Sequence, residues 1–504
     1  MERPPLLLGI DLGTSAVKAI VVSPEGGVVG EASWPLVLSS PRTNWSEQNP
    51  EDWWAAVVAA VQALGHRNPA LLDRVVGLAV SGQMHGATFV DAHGKSLRPA
   101  ILWNDGRSEP QCQDIEGRLG RSALLAAVGN PALPGFTAPK ILWLRLHECE
   151  TFLRTRTVLL PKDYINFRLT GVSVTEPSDA SGTLLFDVVN RTWSEPVLAA
   201  LDLDPSLLPP VVASDSVIGC LRPEVAEVLG LPDSTVVVAG GADNACAAIA
   251  VGAVDEGVRV VSIGTSGTVL APSAEPRIDA QARLHSFCHA VPDRWYVMGV
   301  TLSAGASLRW YRDIIGAWAT ADGDHAYDLI TAEADTVSAG SDGLIFLPYL
   351  TGERTPHADA WARAVFFGLS IRHTRAHLSR AVLEGITFAL KDSADLIDEL
   401  GIGAETVTAT GGGAHSAFWL QLLADVFQVP MAASLADLGP AFGAAILAGV
   451  GAGVFDSVKS AALDLAAIGG RTTPDPELRL EYARAHARFR DLYPALRSQF
   501  RSLA

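Results

Sequence analysis

One pattern constrains this chain more than any other. An apolar strand that breaks at a Gly-Thr-Ser turn and resumes at once as a second apolar strand occurs twice, as LLLGIDLGTSAVKAIVV at 6–22 and VRVVSIGTSGTVLA at 258–271. Each copy predicts a β-hairpin with a tight turn. Two further stretches, STVVVAGGADNACAAIAVG at 234–252 and ETVTATGGGAHSAFWLQLLADVF at 405–427, each run from a β-branched strand through a glycine cluster into a helix. The order is hairpin, strand-Gly-Gly-helix unit, hairpin, unit. It predicts an internal duplication whose period, roughly 250 residues, is far too long for a solenoid.

Length agrees, because 504 residues exceed the ~250–300 at which single cores stop growing. The expected domains are 1–253 and 254–504, meeting around DEGVR at 255–259. Strands and helices alternate, so the fold class is α/β. The stretch between first hairpin and first unit is longer than its counterpart and predicts an insertion in the first domain.

A composition 48% hydrophobic and 18% charged belongs to a well-packed globular protein. The net charge of −17 and the lack of a basic stripe exclude phosphate-backbone binding to nucleic acid. Cysteines 112, 149, 220, 246 and 288 are scattered without a CxxC pair and read as reduced core thiols. LLLGI meets Asp11 too soon to be a secretory signal, and no run approaches a membrane span of about 18 residues. The expected location is cytoplasmic.

Local signals place several elements. Asn49, Pro50 and two acids predict a helix start at NPEDWWAAVVAAVQAL. SAGASLRWYRDIIGAW at 303–318 predicts a helix, GPAFGAAILAGVGAG at 439–453 a small-residue segment for close packing, and ELRLEYARAHARFRDLYPALRSQF an amphipathic closing helix. HGKS at 93–96 is a decoy, since a Walker A loop needs glycine where Phe89 stands.

The Gly-Thr-Ser turns expose backbone N–H groups and hydroxyls with little bulk, which suits phosphate oxygens gripped from two sides. Asp11, present only in the first copy, suits Mg²⁺ beside those phosphates, since one metal needs one such carboxylate. Asp243 follows glycines at the C-terminal edge of a strand, where α/β folds place ligands. A carboxylate there can take an alcohol proton and align the oxygen for phosphoryl transfer; the competing reading is helix capping by Asp243 or Asn244. GQMHG at 82–86 and WNDGR at 103–107 collect donors and acceptors suited to a polyhydroxylated ligand, although taken singly His85 reads as a surface or satisfied core histidine and Trp103 as a core residue.

These stretches, with PGFTAPKILWL, LPYLTGERTPH, ATGGGAHSAFW and AVFFGLSIRHTRAHLSRAVLE at 364–384, resemble the FGGY carbohydrate kinases over nearly the full length. The resemblance implies two actin-like ATPase (ribonuclease H-like) domains flanking a deep cleft. It implies ATP-dependent phosphorylation of a ketopentose, D-xylulose at its C5 hydroxyl, with Mg²⁺ as cofactor and ATP/ADP as partners; a homodimer is left open. By position it makes Asp243 the catalytic base and Asp11 the acid near metal and phosphates. It sets Met84 and His85 against the sugar, with Gln83, Trp103, Asn104 and Asp105 nearby. Gly13, Thr14, Ser15 and Thr265 would meet phosphates, and Gly305, Gly412, Gly413 and Ser416 would hold ADP; in a phosphoryl transfer at such a site, Lys18 is expected to join the hairpin N–H groups and the metal in offsetting transition-state charge. Ala242 replaces a frequent glycine, Leu146 a polar position, and Arg309 stays unassigned. The alternatives are another ketose or alditol, or a non-catalytic actin-like protein; a chaperone would need a peptide-binding domain for which the chain has no room.

Overall fold

The computed structural model describes residues 4–315, 323–435 and 439–503. Along the first half run β1 (Leu6–Leu12), β2 (Ala16–Val22), β3 (Val28–Pro35), α1 (Pro50–Arg67), β4 (Val75–Gly82), α2 (Thr137–His147), α3 (Pro161–Thr170), β5 (Val217–Cys220), β6 (Val236–Ala242) and α4 (Asp243–Ala250). Along the second run β7 (Gly257–Ile263), β8 (Gly267–Ser273), β9 (His285–Cys288), β10 (Trp295–Thr301), α5 (Gly305–Ile315), α6 (Arg375–Glu399), β11 (Ala404–Thr410), α7 (Ala417–Phe427), β12 (Met431–Ser434), α8 (Gly439–Gly451), β13 (Ile468–Thr472) and α9 (Arg479–Ser502). Residues 316–318 of the helix expected at 303–318 lie outside the described residues.

The six-stranded sheet has the order β5-β6-β4-β1-β2-β3 and the seven-stranded sheet β9-β10-β8-β7-β11-β12-β13. In each, the hairpin strands and the next are antiparallel, whereas the first hairpin strand continues in parallel with two later strands. The two halves therefore repeat one ribonuclease-H-like sheet, and the duplication is real.

Its bookkeeping differs from the sequence reading in one respect. The Gly-Gly unit of the first half begins on β6, two strands from β1, but that of the second half begins on β11, directly beside β7. The true counterpart of β6–α4 is β12–α8, and the counterpart of GQMHG is the Gly411–Ser416 turn. Glycine clusters mark where backbone approaches backbone, and that need arises at two different points of the repeat. Gly240 is at φ +78°, and a Cβ there would lie 1.9 Å from Val80 O. Ala242, in contrast, sits at φ −57°, so the residue replacing the frequent glycine is unstrained.

Helix α1 starts as expected, with Asn49 accepting from Glu51 N at 3.2 Å, and buries Trp53, Val57, Val61 and Leu64 at one-turn spacing. The small-residue helix α8 packs on β1, β4 and β6 of the first sheet and crosses α4. A Cβ on Gly9 would lie 1.9 Å from Ala441 O, and one on Gly443 2.0 Å from Cys246 O. Helix α9 buries Tyr482, Phe489, Tyr493 and Phe500 into the second core, each aromatic contributing roughly 2–3 kcal/mol.

All five cysteines are free, but Cys149 and Cys220 are exposed, a correction to their reading as core thiols. Helices α2 and α3 belong to the long stretch between the first hairpin and β6. Among the described residues no helix is long and apolar enough to cross a membrane.

Candidate active site

Parallel strands deliver their C-terminal ends to one edge, and the expected acids are found there. Asp11 near the end of β1 pairs with Lys18 on β2 and Ser81 on β4, and Ser81 pairs with Gly241 on β6, two residues before Asp243. Burial raises the pKa of Asp11 to about 7, with repulsion from Asp243 adding to it and Ser81 and Lys18 opposing. Its Oδ1 is buried and has no hydrogen-bond partner. Burial likewise lifts Asp243 to about 6, against the bonds from Asn244 N at 2.7 Å and Asn244 Nδ2 at 2.9 Å. Ala242 is the N-cap of α4 and no side chain caps it, so Asp243, the first residue of the helix, is a carboxylate tethered by its own neighbour and not a cap. It lines a cavity of about 280 Å³ shared with Ser262 and Thr268 of the second hairpin and with Thr410, His415 and Ser434.

The first hairpin rests on a polar floor. Thr14 Oγ1 donates to Gln83 Oε1 at 3.1 Å, Gln48 Nε2 to Thr14 O at 2.7 Å, and Gln83 Nε2 to Gln48 Oε1 at 3.1 Å. Gln83 is buried and spends both ends of its amide on this floor. Trp103, 40% exposed and so not a core residue, donates Nε1 to Thr14 Oγ1 at 3.0 Å, and Asn104 is exposed beside it. Asp105 is buried, its oxygens taken by Arg107 Nε at 2.9 Å, Arg107 Nη2 at 2.7 Å and Ser46 N at 2.5 Å. Among the residues expected near the sugar, Gln83 and Asp105 are therefore committed to protein partners.

Met84 and His85 stand otherwise. Met84 Sδ lies 3.7 Å from Asn244 Nδ2 and 3.9 Å from Tyr296 Oη, which joins the GQMHG turn to the start of α4 and to β10. His85 occupies the left-handed region at φ +69°, and its Nδ1 lies 2.6 Å from Gly182 O. A carbonyl only accepts, so Nδ1 carries the proton and Nε2 keeps its lone pair. Burial pushes the imidazole pKa down to about 3, so the ring is a neutral acceptor at ordinary pH.

On the other side, Thr265, Gly305, Gly412, Gly413 and Ser416 line one cavity of about 560 Å³. Gly305 N donates to Gly264 O at 2.8 Å, so the second hairpin caps α5 with its own carbonyls. A Cβ on Gly305 would lie 2.4 Å from that oxygen. Ser416 caps α7 by accepting from Trp419 N at 3.3 Å. Arg309, unassigned from sequence, lines this cavity with Tyr327 and Asp328. His415, missed entirely, borders both cavities. Gly13, Thr14 and Ser15 form the opposite turn, and Lys18 pairs with Glu31 at 3.1 Å.

The donor set bears on a metal. Among the described residues no group of three or more His, Cys, Asp or Glu could enclose a cation. A single hard carboxylate with an unpartnered oxygen, Asp11, fits an ion that keeps most of its water and takes its other ligands from phosphate.

Known proteins carry the same framework. Models of the N- and C-terminal domains of the FGGY family of carbohydrate kinases match residues 6–250 and 259–452. A xylulose kinase of Escherichia coli (strain K12) is 44% identical over 448 residues, 89% of this chain and 90% of that protein. A gluconokinase of Bacillus subtilis (strain 168) is 32% identical over 504 residues, 99% of this chain and 97% of its own. The crystal structure of xylulose kinase from Rhodospirillum rubrum superposes with a TM-score of 0.91 at 32% identity, covering 98% of this chain and all of that one. Gluconate kinase from Lactobacillus acidophilus gives 0.93 at 28% identity, covering both chains fully. With both halves matched in order and relatives aligned along almost their whole length, this chain belongs to the FGGY family of carbohydrate kinases.

Proposed function

We propose that the protein transfers the γ-phosphoryl group of ATP to the C5 hydroxyl of D-xylulose, releasing D-xylulose 5-phosphate and ADP. The observation that carries the reading is the position of Asp243. It is a half-buried carboxylate in a cavity that the second hairpin also lines, one residue from the Asn244 that touches Met84. Similarity to the xylulose kinases of Escherichia coli and Bacillus subtilis, at 44% and 42% identity, favours the ketopentose.

In this reading residues 1–253 hold the sugar and residues 254–504 the nucleotide, while α8 crosses back to the first sheet. The adenosine moiety lies in the cavity of Gly305, Gly412, Gly413 and Ser416, and the phosphates run past Thr265 toward Gly13, Thr14 and Ser15. His85 Nε2 accepts from a sugar hydroxyl and Met84 covers the carbon chain. Asp243 takes the C5 hydroxyl proton, and the oxygen attacks the γ-phosphorus as the bond to the β-phosphate oxygen breaks. A pKa of about 6 leaves Asp243 ionised at neutral pH yet basic enough to receive that proton. Hairpin N–H groups and Lys18 offset the charge of the transition state. Asp11 would hold Mg²⁺ through its unpartnered oxygen, and the ion would supply charge neutralisation on the phosphates.

ADP release should be followed with D-xylulose, D-ribulose, L-ribulose, D-fructose, gluconate and glycerol, and the product examined by phosphorus NMR. The expected result is the highest kcat/KM for D-xylulose and a phosphoester at C5. A tenfold preference for gluconate or for a polyol would replace the ketopentose with that substrate.

A further inference from the structure

His85 is held in a conformation that its own side chain disfavours. A non-glycine residue in the left-handed region costs on the order of 1 kcal/mol and persists where its surroundings over-determine it. Here four residues surround it. On the carbonyl side, Thr137 Oγ1 donates to His85 O at 3.0 Å and Lys140 Nζ donates to the same oxygen at 2.8 Å. On the ring side, Nδ1 bonds Gly182 O, and a Cβ on Gly182 would come within 2.6 Å of that nitrogen. The ring also packs on Phe136, with centroids 4.6 Å apart.

Thr137 and Lys140 lie three residues apart on the first turn of α2, so both present the same helix face to the GQMHG turn. Both are buried, at 1% and 0% exposure. Lys140 is an unusual choice for such a place, since a buried ammonium ordinarily demands a carboxylate. Its two hydrogen bonds go instead to carbonyls, His85 O and, at 2.6 Å, Gly135 O. Burial lowers its pKa to about 7, with Asp105 opposing. Charged or neutral, the amine retains at least two N–H donors, as many as the carbonyls that receive them.

We propose that Thr137 and Lys140 are positioning residues that lock the backbone of His85 so that Nε2 faces the sugar, and that they set sugar affinity while leaving phosphoryl transfer untouched. This rests on the reading of His85 as a sugar contact. Loss of one such bond corresponds to a change of roughly tenfold in affinity.

The test is steady-state kinetics with D-xylulose on Thr137→Val, Thr137→Ser, Lys140→Met and His85→Ala, with ADP affinity measured by calorimetry. Thr137→Val keeps the shape and removes the donor; it should raise the sugar KM about tenfold, keep kcat within about twofold and leave ADP affinity unchanged. Thr137→Ser restores the donor and should restore KM, and Lys140→Met should exceed Thr137→Val. If Thr137→Val matches wild type while His85→Ala raises KM, or if Thr137→Ser is as impaired as Thr137→Val, the positioning role is overturned. If His85→Ala itself leaves KM unchanged, the assignment of His85 to the sugar falls instead. Should Lys140→Met fail to fold, the Thr137 pair still decides.

Discussion

Two carboxylates and one imidazole are kept away from their ordinary protonation behaviour by burial. For Asp11 the consequence for stability has a definite sign. Its pKa rises from 3.8 in the unfolded chain to about 7 in the fold, so the folded state binds the extra proton between those values. The group is neutral and harmless below pH 4, and it becomes a growing liability as pH rises toward 7. Asp11→Asn should therefore stabilise the apoprotein by about 1–3 kcal/mol at pH 8 and by nothing measurable at pH 3.5; thermal melts at the two pH values check this. Asp243 makes a kinetic prediction by the same logic. As the base it must be ionised, so kcat/KM should fall about tenfold per pH unit below roughly pH 6, and Asp243→Glu should move that limb. Of these residue-level features, Asp11 and Asp243 were legible because each is an acid at a strand end within two residues of a glycine, where α/β folds place ligands. The left-handed backbone of His85 was not legible, because nothing in GQMHG separates a strained histidine from a relaxed one. Lys140 was equally silent, since its partners lie 55 and 5 residues away in the chain.

Among the elements, the pairing of α8 with β1 and α4 joins the halves at closest range. Gly9→Ala and Gly443→Ala would each drive a methyl into backbone oxygen at about 2 Å, and backbone cannot move aside as a side-chain tip can. Each should cost about 2–3 kcal/mol or more, seen as a lower denaturant midpoint with little change in slope. Gly412→Ala, which meets nothing within 4 Å, should leave stability near wild type and serves as the control. The hairpins could be read from sequence because alternating apolar residues around Gly-Thr-Ser admit few other structures. The equivalence of the Gly-Gly units could not, because local glycine density reports close approach and not rank in a sheet. Only the strand order, with β6 two places from β1 and β11 adjacent to β7, separates them.

At the scale of the whole molecule, one sheet architecture is used twice, and the function proposed above divides the labour between the two copies. The turn after β4 carries Met84 and His85, whereas its counterpart after β11 opens with three glycines and borders the cavity assigned to the nucleotide. Asp11 has Ser262 as its counterpart, so the acid is retained on one side alone. The duplication was visible in the sequence, but the return of α8 to the first sheet was not, since helix packing partners are chosen by shape across hundreds of residues. In that reading the adenosine and the sugar sit on different halves, while the phosphates reach across to the first hairpin. Asp243 belongs to the seam between them, and its replacement interrogates chemistry rather than binding.

The decisive measurement is therefore ATP-dependent phosphorylation of D-xylulose by Asp243→Asn beside wild type, with ADP affinity of both determined by calorimetry. An Asn of the same size that cannot take the proton should lower kcat by a factor of about 10³ or more while the ADP Kd stays within about twofold. Turnover close to wild type would contradict the assignment of Asp243 as the base.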